Sequence, residues 1–188
     1  MEFAIQLWLP ILVGTVVLWF LSFLAWAILP HHFGDKTRLP NEDGMMQFLR
    51  DGNVPPGNYF FPYCGAAKEQ SDPAYMERYT EGPRGTLNVY AMPNMGSNMF
   101  RTILYFFVTI FTIAYISFMA CPPADANTTF MSVFRVVGTI GVLTYGTSGV
   151  LNRIWFTERM WTHIVDGVCY GLVLGIIFAA MWPSGASS

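Results

Sequence analysis

Residues 166–183 read DGVCYGLVLGIIFAAMWP, and this apolar stretch decides how the rest of the chain is organised. Small residues recur at every fourth position along it, at Gly167, Gly171, Gly175 and Ala179. On a helix these positions share one face. Helices in lipid associate through close backbone approach at such faces, because burying large apolar side chains against each other gains little there. The stretch therefore predicts a transmembrane helix that packs along its whole length against another helix.

The composition indicates a membrane protein with several spans. Of the 188 residues, 53% are hydrophobic and only 12% are charged, and the mean hydropathy is +0.39. A soluble domain carries about 25% charged residues. The net charge of −2 leaves no basic surface for a nucleic acid. Membrane lipids are the expected surroundings of this chain.

Apolar segments of about 20 residues can cross a bilayer as helices. We place four of them at residues 3–29, 99–120, 130–151 and 166–183. In the polar region between the first two, residues 58–63 and 85–92 are aromatic and β-branched runs that predict a β-hairpin-like pair of strands. One short capped helix is predicted before the first strand and a second between the two strands. The predicted fold class is an all-α membrane protein of four transmembrane helices, with a small α+β insertion between helices 1 and 2.

The domain organisation follows from these segments. Residues 1–29 form the first helix, residues 30–98 the polar insertion, and residues 99–188 the last three helices with short connections. Lys and Arg are concentrated in the first and third connections and are absent from the second connection and both ends. The positive-inside rule then predicts a cytoplasmic insertion and two periplasmic termini.

The third segment supplies a second set of small residues, at Gly138, Gly141, Gly146 and Gly149. A short connection joins it to the fourth segment, so the third helix is the expected partner of the Gly167–Ala179 stripe. A helix of another subunit, in a larger complex or a homo-oligomer, is the alternative partner.

Charged residues are nearly absent from the interiors of the spans. Arg101, Arg135 and Asp166 all fall near span ends, and no span has an acidic residue near its centre. This pattern argues against a proton-coupled transporter, which needs ionisable groups at that depth. No span has a central histidine to bind haem, and no phosphate-loop, dinucleotide or zinc-protease motif occurs. We expect no cofactor.

A metal site could be assembled from His31, His32 and Cys64, with Asp35 or His163 as a further ligand. Zinc accepts all of these ligand types. Adjacent histidines do not readily chelate one ion, however, and a regular helix is not expected between Pro30 and Gly34. The sequence therefore favours no metal, with this set as the alternative.

A catalytic site has two possible sources in the sequence. Cys64 could act as a nucleophile if His31 or His32 served as its base. His163 and Asp166 lie three residues apart, on one helical face at the membrane surface, and could form an acid–base pair. The competing interpretation is that Asp166 or Thr162 caps the fourth helix while His163 lies at the interface.

Several pieces of the chain are similar to those of one family. They are FPYC (61–64), EGPRGTLNV (81–89), PNMGSN (93–98), RIWFTERMW (153–161) and the stretch at 166–183. Together they resemble a family of small bacterial integral membrane proteins that are described only as hypothetical. The resemblance covers most of the chain and carries no catalytic motif. It implies a protein of the bacterial inner membrane and no particular chemistry.

Two functions fit these observations. The first is a structural or accessory subunit without catalysis, packed within a respiratory, photosynthetic or secretory complex. The second is a small membrane enzyme or carrier for a lipid or hydrophobic substrate, using His31, His32, Cys64, His163 and Asp166 at the cytoplasmic surface. The sequence favours the first, because the spacings supply no convergent polar cluster. A contact of His163 with His31 or Cys64 around a pocket would favour the second.

Overall fold

The computed structural model of this chain describes residues 2–156 and 158–183. It contains two compact units. One is the insertion, Thr37–Asn94, and the other contains the residues up to Lys36 and from Met95 onwards. The insertion is thus narrower than the predicted 30–98, because the residues that follow the first span and those that precede the second belong to the helical unit.

Helices dominate the described residues. In chain order they are α1 (Glu2–Gln6), α2 (Trp8–Phe23), α3 (Glu42–Asp51), α4 (Pro73–Glu81), α5 (Met95–Ala120), α6 (Phe130–Gly146), α7 (Val150–Phe156) and α8 (Trp161–Ala180). A π-helical turn, Leu24–Ile28, extends α2. The strands are β1 (Gly57–Phe61) and β2 (Gly85–Val89).

The prediction of four segments long and apolar enough to cross a membrane is confirmed. They are Trp8–Ile28, Met95–Ala120, Phe130–Phe156 and Trp161–Ala180. The third contains a break, because α6 ends at Gly146 and Gly149 adopts a φ of 75° in the turn before α7. Glycine suits this turn, since a side chain would strain a backbone with positive φ. Gly149 therefore serves the turn and lies outside the packed part of α6.

The fourth helix starts earlier than the sequence indicated. It begins at Trp161, five residues before the predicted start, and Met160 precedes it without a side-chain cap. The capping interpretation of Thr162 and Asp166 is therefore wrong. Apolar residues such as Ile164 continue the helical pattern into the expected connection, so both polar side chains lie within the first two turns, where they are available for tertiary contacts.

Helices α6 and α8 pack antiparallel through their small residues. A Cβ added at Gly141 would lie 2.8 Å from the Gly171 Cα, and one at Gly175 would lie 3.2 Å from the Gly138 Cα. A Cβ added at Gly167 would collide with the backbone of Gly146. A larger residue at Gly141, Gly167 or Gly175 would force α6 and α8 apart. These glycines therefore allow the two helix backbones to lie in direct contact.

The remaining core of the helical unit joins α2 to α5 and α8. Leu18, Ile110, Leu174 and Phe178 are fully buried within it. Helix α2 contacts both α5 and α8. This packing sets the end of the first span beside the start of α8, which is where the polar residues of both segments lie.

The insertion forms a small α+β unit of its own. Strands β1 and β2 pair antiparallel, with Gly57 opposite Val89 and Phe61 opposite Gly85. Asn41 caps α3 by accepting a hydrogen bond from the Gly44 N–H. These elements match the predicted pair of strands and the two short helices. Cap residues specify the helices, whereas the strand pairing joins segments that α4 separates in the chain.

Candidate metal centre

The polar residues that follow the first span are held in a tight turn. The backbone is extended at Leu29, and Pro30 then begins a 3-10 helix that ends at His32. Proline suits this first position because it has no N–H to leave unpaired. The Asp35 N–H donates to the His32 carbonyl at 3.0 Å and extends the turn. His31, His32 and Asp35 are thereby presented close together.

The first two turns of α8 supply the facing side chains. Thr162 and His163 lie four and three residues before Asp166, so the three share one face of the helix. They are partly buried. This face meets the turn that follows the first span.

Both histidines of the turn bind the same carboxylate. The Nε2 atoms of His31 and His32 lie 2.9 Å and 2.7 Å from the two oxygens of Asp166. The other ring nitrogen of His32, Nδ1, lies 2.6 Å from Asp35 Oδ2. His32 is therefore held between two carboxylates, one at each ring nitrogen.

A second layer of side chains fixes this arrangement. The Thr162 hydroxyl donates to Asp35, with 3.2 Å to each carboxylate oxygen. The Trp26 indole stacks on the His32 ring at 4.1 Å with an angle of 8° between the planes. His163 Nε2 lies 3.6 Å from Asp35 Oδ2, too far for a hydrogen bond but close enough for an ion pair. The His32 ring is therefore fixed in both position and orientation.

Burial makes the charges of this cluster interdependent. The side chain of His32 is 3% exposed, and those of Asp35 and Asp166 are 11% and 13% exposed. Burial alone lowers the pKa of His32, but hydrogen bonds with Asp35 and Asp166 outweigh it and raise that pKa overall. Burial alone raises the pKa of Asp35, but hydrogen bonds from His32 and Thr162 lower it overall. The two carboxylates thus favour a cation between them, which is either protonated His32 or a metal ion.

The cluster contains two sets of three metal-ligating groups. One set is His31, His32 and Asp166, and the other is His32, Asp35 and His163; within each set the ligand atoms lie within 4.8 Å of one another. The first set has the better chemistry, because Asp35 accepts the Nδ1–H of His32, and Nε2 would then need only to give up its proton to bind a metal beside Asp166.

The ligand atoms of the first set are closer together than those around a bound ion. Zinc lies about 2.0–2.2 Å from nitrogen and oxygen ligands, so neighbouring ligand atoms of a tetrahedral site are about 3.4 Å apart. The Nε2 atoms of His31 and His32 lie 2.9 Å and 2.7 Å from Asp166, which are hydrogen-bond distances. An ion would replace these hydrogen bonds and move the ligand atoms apart by about 0.5–0.7 Å.

Four of the five candidate residues from the sequence lie in this cluster. His31, His32, His163 and Asp166 come together, whereas Cys64 belongs to the insertion unit and is in neither ligand set. The Cys64 thiol donates to the Ala66 carbonyl at 3.2 Å. The third candidate ligand beside His31 and His32 is therefore Asp166, whereas the sequence suggested Cys64.

The side chains of His31 and His32 point to one place, although adjacent histidines were not expected to reach a single ion. Their ring centroids are 4.2 Å apart and the rings are tilted by 41°. The 3-10 turn brings both Nε2 atoms to one carboxylate. A signal for this convergence existed in the sequence: the pair at His31 and His32 and the pair at His163 and Asp166 both flank spans that must end on the same side of the membrane.

A cavity of about 160 Å³ adjoins the cluster. His163 and Asp166 contribute to its wall, and so do Trp26 and several other aromatic side chains of the bundle. The cluster therefore lies beside a partly open cavity and is not sealed within the protein.

Comparison of the chain with models of known protein families, with curated proteins and with solved structures finds no match. The family resemblance of the sequence stays an expectation.

Proposed function

We propose that this protein is a membrane metalloenzyme that binds one divalent transition-metal ion through His31, His32 and Asp166. The observation that carries the proposal is the convergence of two imidazole nitrogens on one carboxylate, at 2.9 Å and 2.7 Å. Asp35 behind His32 supports it, because a ligating histidine usually donates its second N–H to a carboxylate or carbonyl.

The ligand set favours a catalytic site over a structural one. Two imidazoles and a carboxylate suit zinc, and the same set suits iron(II). Structural zinc sites fill all four positions with protein ligands, whereas catalytic sites use three and leave a position open. With His31, His32 and Asp166 as ligands, an ion here keeps an open position. His163, beside the cluster and in the wall of the adjoining cavity, is placed to exchange protons there.

The location of the site points to a substrate from the membrane. The ligands lie just beyond the first span and in the first turns of the last span. We place this end of the bundle at the cytoplasmic face of a bacterial inner membrane, because Lys and Arg are concentrated in the first and third connections. A small hydrophobic compound dissolved in the bilayer can reach this depth.

The accessory-subunit function is the second candidate, and one groove favours it. An apolar groove of about 400 Å³ lies along α6, lined among others by Gly138, Thr139 and Val142, with Leu172 of α8. Small and hydroxyl residues of this kind allow a partner helix to approach. The Gly167–Ala179 stripe no longer supports a partner subunit, since it already packs against α6.

Metal analysis tests the proposed function. Protein purified in mild detergent, stripped with a chelator and titrated with Co²⁺, is expected to bind one ion and to show the visible bands of a low-coordinate cobalt site. Asp166→Asn should weaken Co²⁺ binding by more than about 100-fold, beyond the loss typical of outer-shell changes.

Asp51→Asn is the matched control, since Asp51 is exposed and lies outside the cluster. It should leave Co²⁺ binding unchanged. Equal binding by wild type and Asp166→Asn, or no binding by wild type, would overturn the proposal. Co-purification of a stoichiometric partner protein without any metal would favour the accessory-subunit function.

A further inference from the structure

The cavity beside the cluster is large enough for one small group. Its volume of about 160 Å³ equals the liquid volume of about five water molecules. Asp166 and His163 belong both to the cluster and to the cavity wall. A ligand in the cavity would therefore lie next to a metal ion bound by Asp166.

Phenylalanine, tyrosine and tryptophan side chains form half of the wall. Five of the ten lining residues are of these types: Trp26, Tyr105, Phe106, Tyr145 and Tyr170. Phe106 and Tyr145 each meet Tyr170 nearly at right angles, with centroid distances of 6.3 Å and 6.1 Å. Rings arranged edge to face present both flat and edge surfaces, which suit a planar ring as occupant.

Three buried polar atoms of cavity-lining residues lack a partner. Among the described residues, the Tyr145 and Tyr170 hydroxyls and Arg153 Nε are buried without a hydrogen-bond partner. Arg153 is held in place by another of its nitrogens, which donates to the Ser148 carbonyl at 2.9 Å. All three unpartnered groups can donate a hydrogen bond, and leaving them unpaired is costly. A ligand that carries acceptor oxygens would satisfy them once these side chains turn towards the cavity.

The charged side chains of the cavity lining balance each other. Arg153 contributes one positive charge and Asp166 one negative charge to the lining. Glu158 lies 3.9 Å from Arg153 Nε. The proposed divalent ion would add positive charge beside Asp166, which suits an acceptor oxygen of the ligand, and the ring of an uncharged head group suits the aromatic part of the wall.

We infer that this cavity binds the head group of a membrane quinone, an uncharged planar ring with carbonyl oxygens, beside the metal centre. The inference rests on the proposed function, because it assigns the substrate class of that same site. The ring packs against the aromatic wall, while Arg153 and Tyr145 donate to its oxygens. Asp166 would hold the metal and also lines the cavity, so a ligand there would lie near the ion.

Binding of a short-chain quinone tests the inference. Metal-loaded protein in lipid nanodiscs is titrated with radiolabelled decylubiquinone, and binding to empty nanodiscs is subtracted. Saturable binding is expected. Arg153→Met should weaken it by about tenfold or more, and Tyr145→Phe by about fivefold, the usual effects of losing a charged and a neutral hydrogen bond.

Tyr115→Phe is the matched control, because it removes the same hydroxyl from an exposed residue of α5 outside the cavity. It should leave quinone binding unchanged. Absence of saturable binding, equal binding in all variants, or preferential binding of dodecyl phosphate would overturn the inference.

Metal content is measured on the same samples. Metal binding without quinone binding removes only this inference, and quinone binding without metal removes only the proposed metal centre. The melting temperature of each variant in nanodiscs identifies any loss of binding that comes from unfolding.

Discussion

At the residue scale, the centre depends on the two ring nitrogens of His32. One nitrogen lies 2.6 Å from Asp35 and the other 2.7 Å from Asp166. The Trp26 stack and the 3% exposure of the side chain leave the ring little freedom. A histidine held in this way needs little reorganisation to bind a metal. Holding a ligating histidine in its binding orientation is the usual role of an outer-shell carboxylate, here Asp35.

Asp35→Asn tests this role of the outer carboxylate. The amide keeps the size of the side chain but loses the charge that orients His32 and raises its basicity. We expect Co²⁺ affinity to fall by about 10–100-fold while one ion still binds. Isothermal titration against Asp43→Asn, an exposed carboxylate of α3, provides the comparison. Unchanged affinity would show that Asp35 has no part in the site.

At the element scale, α8 has two separate tasks. Its small residues pack against α6, and its first two turns present Thr162, His163 and Asp166 to the end of the first span. The two tasks are coupled, because the depth and rotation of α8 that the glycine contacts impose also set where Asp166 lies. A helix without the stripe would lie farther from α6 and would move its carboxylate.

Gly171→Leu tests the stripe. A Cβ at Gly171 would lie 2.9 Å from the Gly138 carbonyl oxygen and would also collide with the backbone at Val142. We expect a loss of about 3 kcal/mol in the free energy of unfolding, the upper end of typical overpacking costs. Thermal unfolding in mild detergent measures it.

Cys169→Leu is the matched control for this change. Cys169 is an exposed position on the same helix, so enlarging it should leave the unfolding midpoint close to that of wild type. If Gly171→Leu were as stable as Cys169→Leu, the α6–α8 contact would not be the close one described.

At the scale of the whole molecule, the polar ends of the first and fourth spans meet. His31 and His32 bind Asp166 across sequence separations of 135 and 134 residues. These residues therefore lie at one end of the helical unit, and the first and third connections leave the bundle on the same side. With Lys and Arg concentrated in both connections, the proposed orientation places this end in the cytoplasm.

Cysteine labelling tests the orientation. In a background with the three native cysteines replaced by serine, Lys68→Cys reports on the insertion and Asn127→Cys on the second connection; both positions are exposed. We expect a membrane-impermeant maleimide to label position 127 in intact spheroplasts and position 68 only in inverted vesicles. The opposite pattern would reverse the topology and place the metal centre on the outer face.

The sequence by itself determined the elements. Hydropathy and length identify four spans, and cap and turn residues identify the strands and short helices of the insertion, because both kinds of signal act over a few neighbouring residues. The stripe of small residues also predicted the face of α8 that packs against α6. Local patterns were less reliable at the start of α8, where Thr162 and Asp166 resembled caps but lie inside the helix.

Only the tertiary structure decided the site. His31, His32, His163 and Asp166 are all visible in the sequence, but their spacing does not show that they come together or that Asp166, and not Cys64, joins the two histidines. Those contacts depend on the order, depth and rotation with which whole helices pack. These are set by many weak contacts summed along each interface, so no local pattern could have specified the meeting of two polar segments more than 130 residues apart.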